Sequence, residues 1–423
     1  MSDLIPDGWE IKSISNIAKI GSSKRILQSE YVANGVPFFR SREAILRSKR
    51  KTITNPLYIA RERFEELKGK FGVPIKDEIL VTAVGTIGVI YLIEDIEFYF
   101  KDGNLLWIRE IDKKVSPNYL AKYLSSDVFQ ESIARITSGS SQSALTIEKL
   151  SELEFNLPPL PEQKKIAAIL TSVDEVIEKT QAQINKLKDL KTGMMQELLT
   201  CGVGVDGKPH TEFKDSPVGR IPMAWDVELI GNLFSVQLGK MLSKASKITD
   251  SPLSYLGNKN IQWGRVVIDD LEKMDFSEKE KQKFSLETGD LLMCEGGDVG
   301  RCAIWMNEIS DCYYQKAIHR LRPIENRYKP VLLMEYMKFA KENGLLVDYI
   351  SQTSIAHLTK EKLISIPVPV PSITEQEVII RVLETLSNRL KVADGKLKKN
   401  RNLKKALMQD LLTGKVRVKV DSE

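Results

Sequence analysis

Reactive residue types occur throughout the chain, but none falls at the spacing a reaction needs. Metal-assisted hydrolysis needs spaced carboxylates and a lysine around an ion. Asp7, Glu10 and Lys12 supply the letters in too short a span, and the related stretch before Trp225 has Met223 in place of Asp7. Nucleotide hydrolysis needs GxxxxGK[ST]. Gly239-Lys240 and Gly414-Lys415 lack both the upstream glycine and the following hydroxyl. A methyltransferase site of the Asn-Pro-Pro-aromatic type is approached only by Asn156-Leu157-Pro158-Pro159-Leu160, which has an extra leucine and no aromatic residue. Cys294, Cys302 and Cys312 contain no CxxC pair of the kind structural zinc sites show, so no metal is expected. His210, His319 and His357 lie far apart and form no catalytic set, while Trp107 and Trp305 follow strand-like runs and read as core.

What remains are side chains suited to reading rather than reacting. Arg, Lys, Asn and Gln recognise base edges, and Lys, Arg, Ser and backbone N–H groups hold phosphates. The net charge of +5 is a weak pointer, because acidic residues elsewhere mask a local excess. Between Lys19 and Lys51 stand Lys24, Arg25, Arg40, Arg42, Arg47, Lys49 and Arg50, opposed only by Glu30 and Glu43. A solvated basic face is the bland alternative. The candidate DNA contacts in the first half are Lys24, Arg25, Arg40, Arg42 and the polar loop with Ser140, Ser141 and Gln142. In the second half they are Lys240, Lys244, Asn258, Lys259, Asn260, Gln262, Gln352 and Ser354. Arg301 is either a phosphate contact or an ordinary surface arginine.

The elements that must position these residues occur twice. Ile5-Pro6 with Trp9 returns as Ile221-Pro222 with Trp225, and Gly85-Thr86-Ile87-Gly88 as Gly297-Asp298-Val299-Gly300. Glu162-Gln163 returns as Glu375-Gln376, and Leu198-Leu199-Thr200 as Leu411-Leu412-Thr413. A repeat this long is a duplicated domain, not a solenoid. Each copy opens with short β-type runs and turn signals and closes with a long helix. Pro161 suits a first helical turn, and Thr374 followed by Glu377 reads as a capping box.

The apolar positions of the first helix are Ile166, Leu170, Val173, Ile177, Ile184, Leu187, Met194 and Leu198. Those of the second are Ile379, Leu383, Leu386, Leu390, Leu397, Leu407 and Leu411. With Thr180 and Lys191 filling the first stripe and Ala393, Asn400 and Lys404 the second, the steps alternate between four and three, the coiled-coil period. Lys191 and Lys404 interrupt the two stripes, with Leu190 and Leu403 beside them. Helices of about 40 residues run roughly 60 Å, and each narrow stripe is most simply buried on the other. The expected division is a first head at 1–157, helix at 158–200, linker at 201–217, second head at 218–370, helix at 371–414 and tail at 415–423.

The passages that carry the repeat resemble the specificity subunit of type I restriction–modification systems. The matching strings are Leu157-Pro158-Pro159-Leu160-Pro161-Glu162-Gln163 running on to Gln196-Glu197-Leu198-Leu199-Thr200, and Pro371 through Gln376 running on to Gln409 through Lys415. The Ile-Pro-x-x-Trp openings are also similar. Ile373-Thr374 departs from the Leu160-Pro161 of the first copy. The resemblance spans the whole chain. It implies an α+β pseudo-two-fold tandem repeat: two target-recognition domains of mixed β-sheet and helices, separated by two long helices forming an antiparallel coiled coil. It further implies a bipartite target in double-stranded DNA, two methyltransferase subunits, and restriction (motor–nuclease) subunits in the full complex. S-adenosylmethionine, ATP and magnesium would belong to those partners, leaving this chain non-catalytic. The unlike loops of the two heads imply an asymmetric target.

Composition agrees with a soluble protein: 42% hydrophobic and 28% charged residues, no apolar run of membrane length, and four cysteines. The opening residues lack a signal peptide, so a cytoplasmic protein is expected. The rival is a bivalent coiled-coil adaptor whose heads bind proteins; the basic cluster near Arg40 favours DNA.

Overall fold

The computed structural model describes residues 6–138, 144–204, 207–242, 252–352 and 356–420, with Ser351 and Gln352 as backbone alone. Two compact units divide the chain: Met1–Ala182 with Gly395–Glu423, and Gln183–Asp394. Each holds one head and a portion of both long helices, which span Leu160–Thr200 and Ile373–Leu412. The second helix is capped earlier than its sequence suggested. Ser372 Oγ accepts the Glu375 N–H at 3.3 Å, and this leaves the Glu375 side chain for another task.

That task explains why the recurring motifs recur. In the first unit the buried Glu162 accepts the indole N–H of Trp9 at 3.2 Å and a hydrogen bond from Arg417 Nε at 3.0 Å. Beside it, Gln163 accepts the Ser116 N–H at 2.7 Å and donates to the carbonyls of Lys114 and Pro158. In the second unit Glu375 accepts from Trp225 Nε1 at 2.9 Å and Val203 N at 3.0 Å, with His210 Nε2 at 2.9 Å. Gln376 accepts the Lys329 N–H at 2.9 Å and donates to Arg327 and Pro371 carbonyls. Each Glu-Gln pair therefore ties the start of a helix to the opening tryptophan of its head. Buried polar atoms this fully satisfied specify one arrangement, because every wrong arrangement strands several of them.

The first head has a four-stranded antiparallel sheet in the order Lys19–Gly21, Leu105–Arg109, Ile79–Thr82, Ile90–Leu92. A second sheet runs Tyr31–Val32, Leu57–Ile59, Val36–Phe39, Tyr99–Phe100, and its last pair is parallel. The second head repeats this with Phe234–Leu238, Ile318–Pro323, Leu291–Cys294 and Cys302–Ile304, beside Glu272–Met274, Leu253–Leu256 and Tyr313–Tyr314, again with the last pair parallel. In each head an opening strand pairs with the strand that leads into the helix, Glu10–Ser13 with Glu154–Leu157 and Asp226–Leu229 with Pro367–Val370. The connector is more ordered than its glycines suggested, because Phe213–Ser216 pairs with Gly219–Pro222 as a hairpin.

Within the first unit, Ile166, Leu170, Leu411 and Leu412 share one buried cluster with Trp9 and Phe155, so the start of one helix lies against the end of the other. Within the second unit, Met195, Leu198, Ile379 and Leu383 join Trp225 in the same way. The stripe residues Ile184, Leu386 and Leu397 are buried, while Val173, Ile177, Leu187, Met194, Leu390 and Leu407 are half-buried. The helices thus pack on the heads as well as on each other. Leu190 and Leu403 stay about half exposed, at 48% and 50%.

The seam lysines are answered locally. Asp174 receives Lys404 at 2.7 Å and also Lys122 of the first head. In the second unit Lys191 donates to Ser387 at 2.8 Å and lies 3.6 Å from Glu335. Burial pushes the Asp174 carboxyl up, but its bonds to Lys122 and Lys404 outweigh this and hold it below the usual carboxylate range. A depressed folded pKa stabilises above the unfolded value, about 3.9, and the contribution is lost as pH falls through the folded one. Asp174→Asn is therefore expected to melt below the parent at neutral pH. Thermal melts across pH should show the gap closing as pH drops below about 4; a constant gap would deny Asp174 its charge role.

Candidate nucleic-acid interface

In each head two parallel strands end side by side, and the chain leaves the sheet at two adjacent points. Carboxyl ends of adjacent parallel strands are favoured places for ligands, since loops diverge there and leave a crevice. In the first head Phe38-Phe39 pairs with Tyr99-Phe100, and the exits are Arg40 and Lys101. In the second Tyr255-Leu256 pairs with Tyr313-Tyr314, and the exits are Gly257 and Gln315. Arg40-Ser41-Arg42 thus corresponds to Gly257-Asn258-Lys259. The exits carry different side chains on the same frame.

One residue three places on secures each exit. Glu43, fully buried, accepts the Arg40 N–H at 2.9 Å, and Asn260 Oδ1 accepts the Gly257 N–H at 2.8 Å. Glu43 also takes the Arg40 guanidinium in a two-pronged bond at 3.1 and 2.9 Å. Burial pushes the Glu43 carboxyl up, and these Arg40 bonds reverse the direction and hold it low. Arg40 is consequently half tethered, whereas Arg42 is exposed and reaches only Thr54, at 3.2 Å. Lys24 lies over the Phe71 ring, and Arg25 meets Asp102 at 3.1 Å. A cleft of about 640 Å³ is bordered by Arg25, Arg40, Lys101 and Asn104.

In the second head several expected contacts face inward. Asn260 is 3% exposed and donates to the carbonyls of Val267 and Asp270, which leaves nothing for a base. Lys240 is held by Glu280 at 2.8 Å, the Asp275 carbonyl at 2.7 Å and the Phe276 ring. Both belong to the scaffold because their polar atoms are already satisfied. Arg301 donates to the Asn258 carbonyl at 2.8 Å, and Asn258 Nδ2 to the Gly296 carbonyl at 2.9 Å. Gln262 donates to the Lys259 carbonyl at 2.9 Å, and Lys259 pairs with Asp270 at 2.6 Å while remaining exposed.

The glycine-bearing hairpins lie at the same edge. Val84 bridges to Ala144 and Gly296 to His357, which joins each hairpin to the loop before the last short helix of its head. Ser140, Ser141, Gln142, Lys244 and Ser354 lie outside the described residues, and only the backbone of Gln352 is described, paired with Ala356. Sequence reasoning passed over Lys101 and Lys316. Lys101 directly follows the aromatic pair Tyr99-Phe100, and Lys316 stands one residue beyond Tyr313-Tyr314, after Gln315, so the two lysines share a loop and not an aligned position.

Among the described residues, no group of three or more His, Cys, Asp or Glu could hold a metal ion. Burial pushes the thiols of Cys294, Cys302 and Cys312 up, the last to about 12. No described helix is long and apolar enough to cross a membrane.

The family described as type I restriction modification DNA specificity domain matches residues 6–189 and 222–399. The chain belongs to this family. The MjaVIII type I restriction enzyme specificity subunit of Methanocaldococcus jannaschii is 26% identical over 98% of this chain and 94% of its own length. The EcoKI specificity subunit of Escherichia coli is 20% identical over 90% of this chain and 82% of its own. The crystal structure of the type I restriction–modification S subunit from M. genitalium superposes with a TM-score of 0.59 at 16% identity, covering 97% of both chains. The two family matches coincide with the two copies of the repeat in this specificity subunit.

Proposed function

We propose that this specificity subunit reads a bipartite, asymmetric target in double-stranded DNA, each head reading one half-site, and directs two methyltransferase subunits and the restriction subunits to it. The chain itself performs no chemistry in this reading; S-adenosylmethionine, ATP and magnesium are bound by the partners, in the cytoplasm. The observation that carries it is the pair of equivalent strand exits with unlike side chains, Arg40-Ser41-Arg42 and Gly257-Asn258-Lys259. Two frames of one topology with different reading residues are what an asymmetric sequence requires, since direct readout depends on the donors and acceptors presented.

Mapping methylated bases in a host carrying the chain and its methyltransferase tests the reading. Arg42→Ala is expected to relax one half-site and leave the other unchanged, with a loss of about 1–3 kcal/mol of discrimination if the contact is to a base. Lys259→Ala should relax only the other half. Methylation without a bipartite motif, or unaltered in both variants, would remove the two-headed reading.

A further inference from the structure

Resting on that DNA-reading function, we propose that Lys101 in the first head and Lys316 in the second are phosphate contacts that seat each head on the duplex whatever its half-site. Each lies in the loop that joins the parallel-paired strand to the central strand of its four-stranded sheet, Tyr99–Phe100 to Leu105–Arg109 and Tyr313–Tyr314 to Ile318–Pro323. Each borders a cleft at the strand exits. In the second head that cleft measures about 540 Å³ and also involves Asn258, Gly296, His357 and Thr359.

What sets the two lysines apart is that the neighbouring cations are already engaged. Arg40 is bound to Glu43, Arg42 to Thr54, Arg25 to Asp102, Lys259 to Asp270 and Arg301 to the Asn258 carbonyl. Lys101 and Lys316 make no side-chain hydrogen bond or ion pair with any described residue. An ammonium group of this kind exchanges hydration for an external anion without breaking an ion pair among the described residues. Glu295 also lines the second cleft and disfavours an anion deep within it, so the contact belongs at the mouth, where Lys316 is exposed.

Phosphate, not base, follows from comparing the heads. The side chains at Arg40–Arg42 differ from those at Gly257–Lys259, as readers of unlike half-sites must. A lysine in the same loop is common to both heads, and a shared feature cannot encode what distinguishes two half-sites. The sugar–phosphate backbone is what every half-site offers, and lysine, a compact charge on a flexible stem, suits it.

The test measures equilibrium binding of the full chain, assembled with its methyltransferase subunits, across a salt series. The probes are a random-sequence duplex of about 40 base pairs and a duplex bearing the mapped target. Each phosphate contact contributes about 0.9 to the slope of log affinity against log salt. Lys101→Ala and Lys316→Ala should each lower the slope by about that much on both duplexes, and the double variant by about twice as much, with the ratio of target to random binding preserved. Lys316→Arg should restore the slope. Loss confined to the target duplex with an unchanged slope makes these lysines base readers and overturns the proposal, as does no change in either measure. If the unsubstituted assembly shows no salt-dependent duplex binding, the DNA-reading function fails first and takes the lysine contacts with it.

Discussion

Gly202→Ala is expected to loosen the second unit alone, and Gly414→Ala the first alone, each by about 2–5 kcal/mol. Both glycines follow the end of a long helix with positive φ, +67° and +75°, the left-handed region that a side chain makes costly by about 1–2 kcal/mol. Both also lack room. A Cβ on Gly202 would lie 2.5 Å from Trp225 Cζ2 and 2.5 Å from Glu375 Oε1, and one on Gly414 would lie 2.3 Å from Pro6 Cγ. Overpacking of this kind costs about 1–3 kcal/mol more. The chain that leaves each helix must therefore press against the opening motif of a head, where Glu375 or Glu162 waits. Hydrogen exchange read by mass spectrometry separates the outcomes. Faster exchange around Trp225 in one variant and around Trp9 in the other is expected; equal loosening of both units by either variant would contradict the separate locks.

Aspartate at the most deeply buried stripe positions should have a comparable effect. Leu170 and Leu383 are 0% and 1% exposed, the first among Trp9, Phe155 and Leu411, the second among Trp225, Leu198 and Ile379. Leu170→Asp or Leu383→Asp would place a carboxylate among apolar side chains, at a cost of several kcal/mol. Ile177 and Leu390, in the same stripes, are only half-buried and should tolerate the change better. Val392, 72% exposed on the second helix, is the control, with an expected effect within about 0.5 kcal/mol. Circular dichroism during urea unfolding would show the ranking, and a Val392→Asp variant as unstable as Leu383→Asp would remove the packed stripe as the cause.

Much of this architecture was legible because the motifs that repeat are structural fasteners. Trp9 and Trp225, Glu162 and Glu375, and Gln163 and Gln376 recur because each copy must make the same internal bonds. The apolar stripes were readable for a related reason, since a period of alternating four and three residues has few other uses. Residue type alone could not say which polar side chains are already satisfied. Asn260 and Lys240 have the chemistry of base and phosphate contacts, yet their partners, Val267 and Asp270 or Asp275 and Glu280, become visible only once the chain has folded back. Lys101 and Lys316 failed to register for the converse reason: a solitary lysine in a short loop gains meaning only from the strand exit beside it. The Phe213–Ser216 hairpin was hidden by a glycine- and proline-rich stretch whose composition reads as a plain connector.

The first unit is discontinuous in the chain, and this bears on the order in which the protein is built. Leu411 and Leu412 complete a core whose other members, from Trp9 to Leu170, emerge from the ribosome before any of the second unit. The second unit is one uninterrupted segment and can close as soon as it has emerged. Domains usually mature in the order they are translated; here the earlier head must wait for the later one. During that interval Ile166, Leu170 and the Trp9 pocket lack their final cover, and the nascent chain presents an unfinished apolar surface. Translation rate and chaperone supply should therefore govern the yield of the first head more than that of the second.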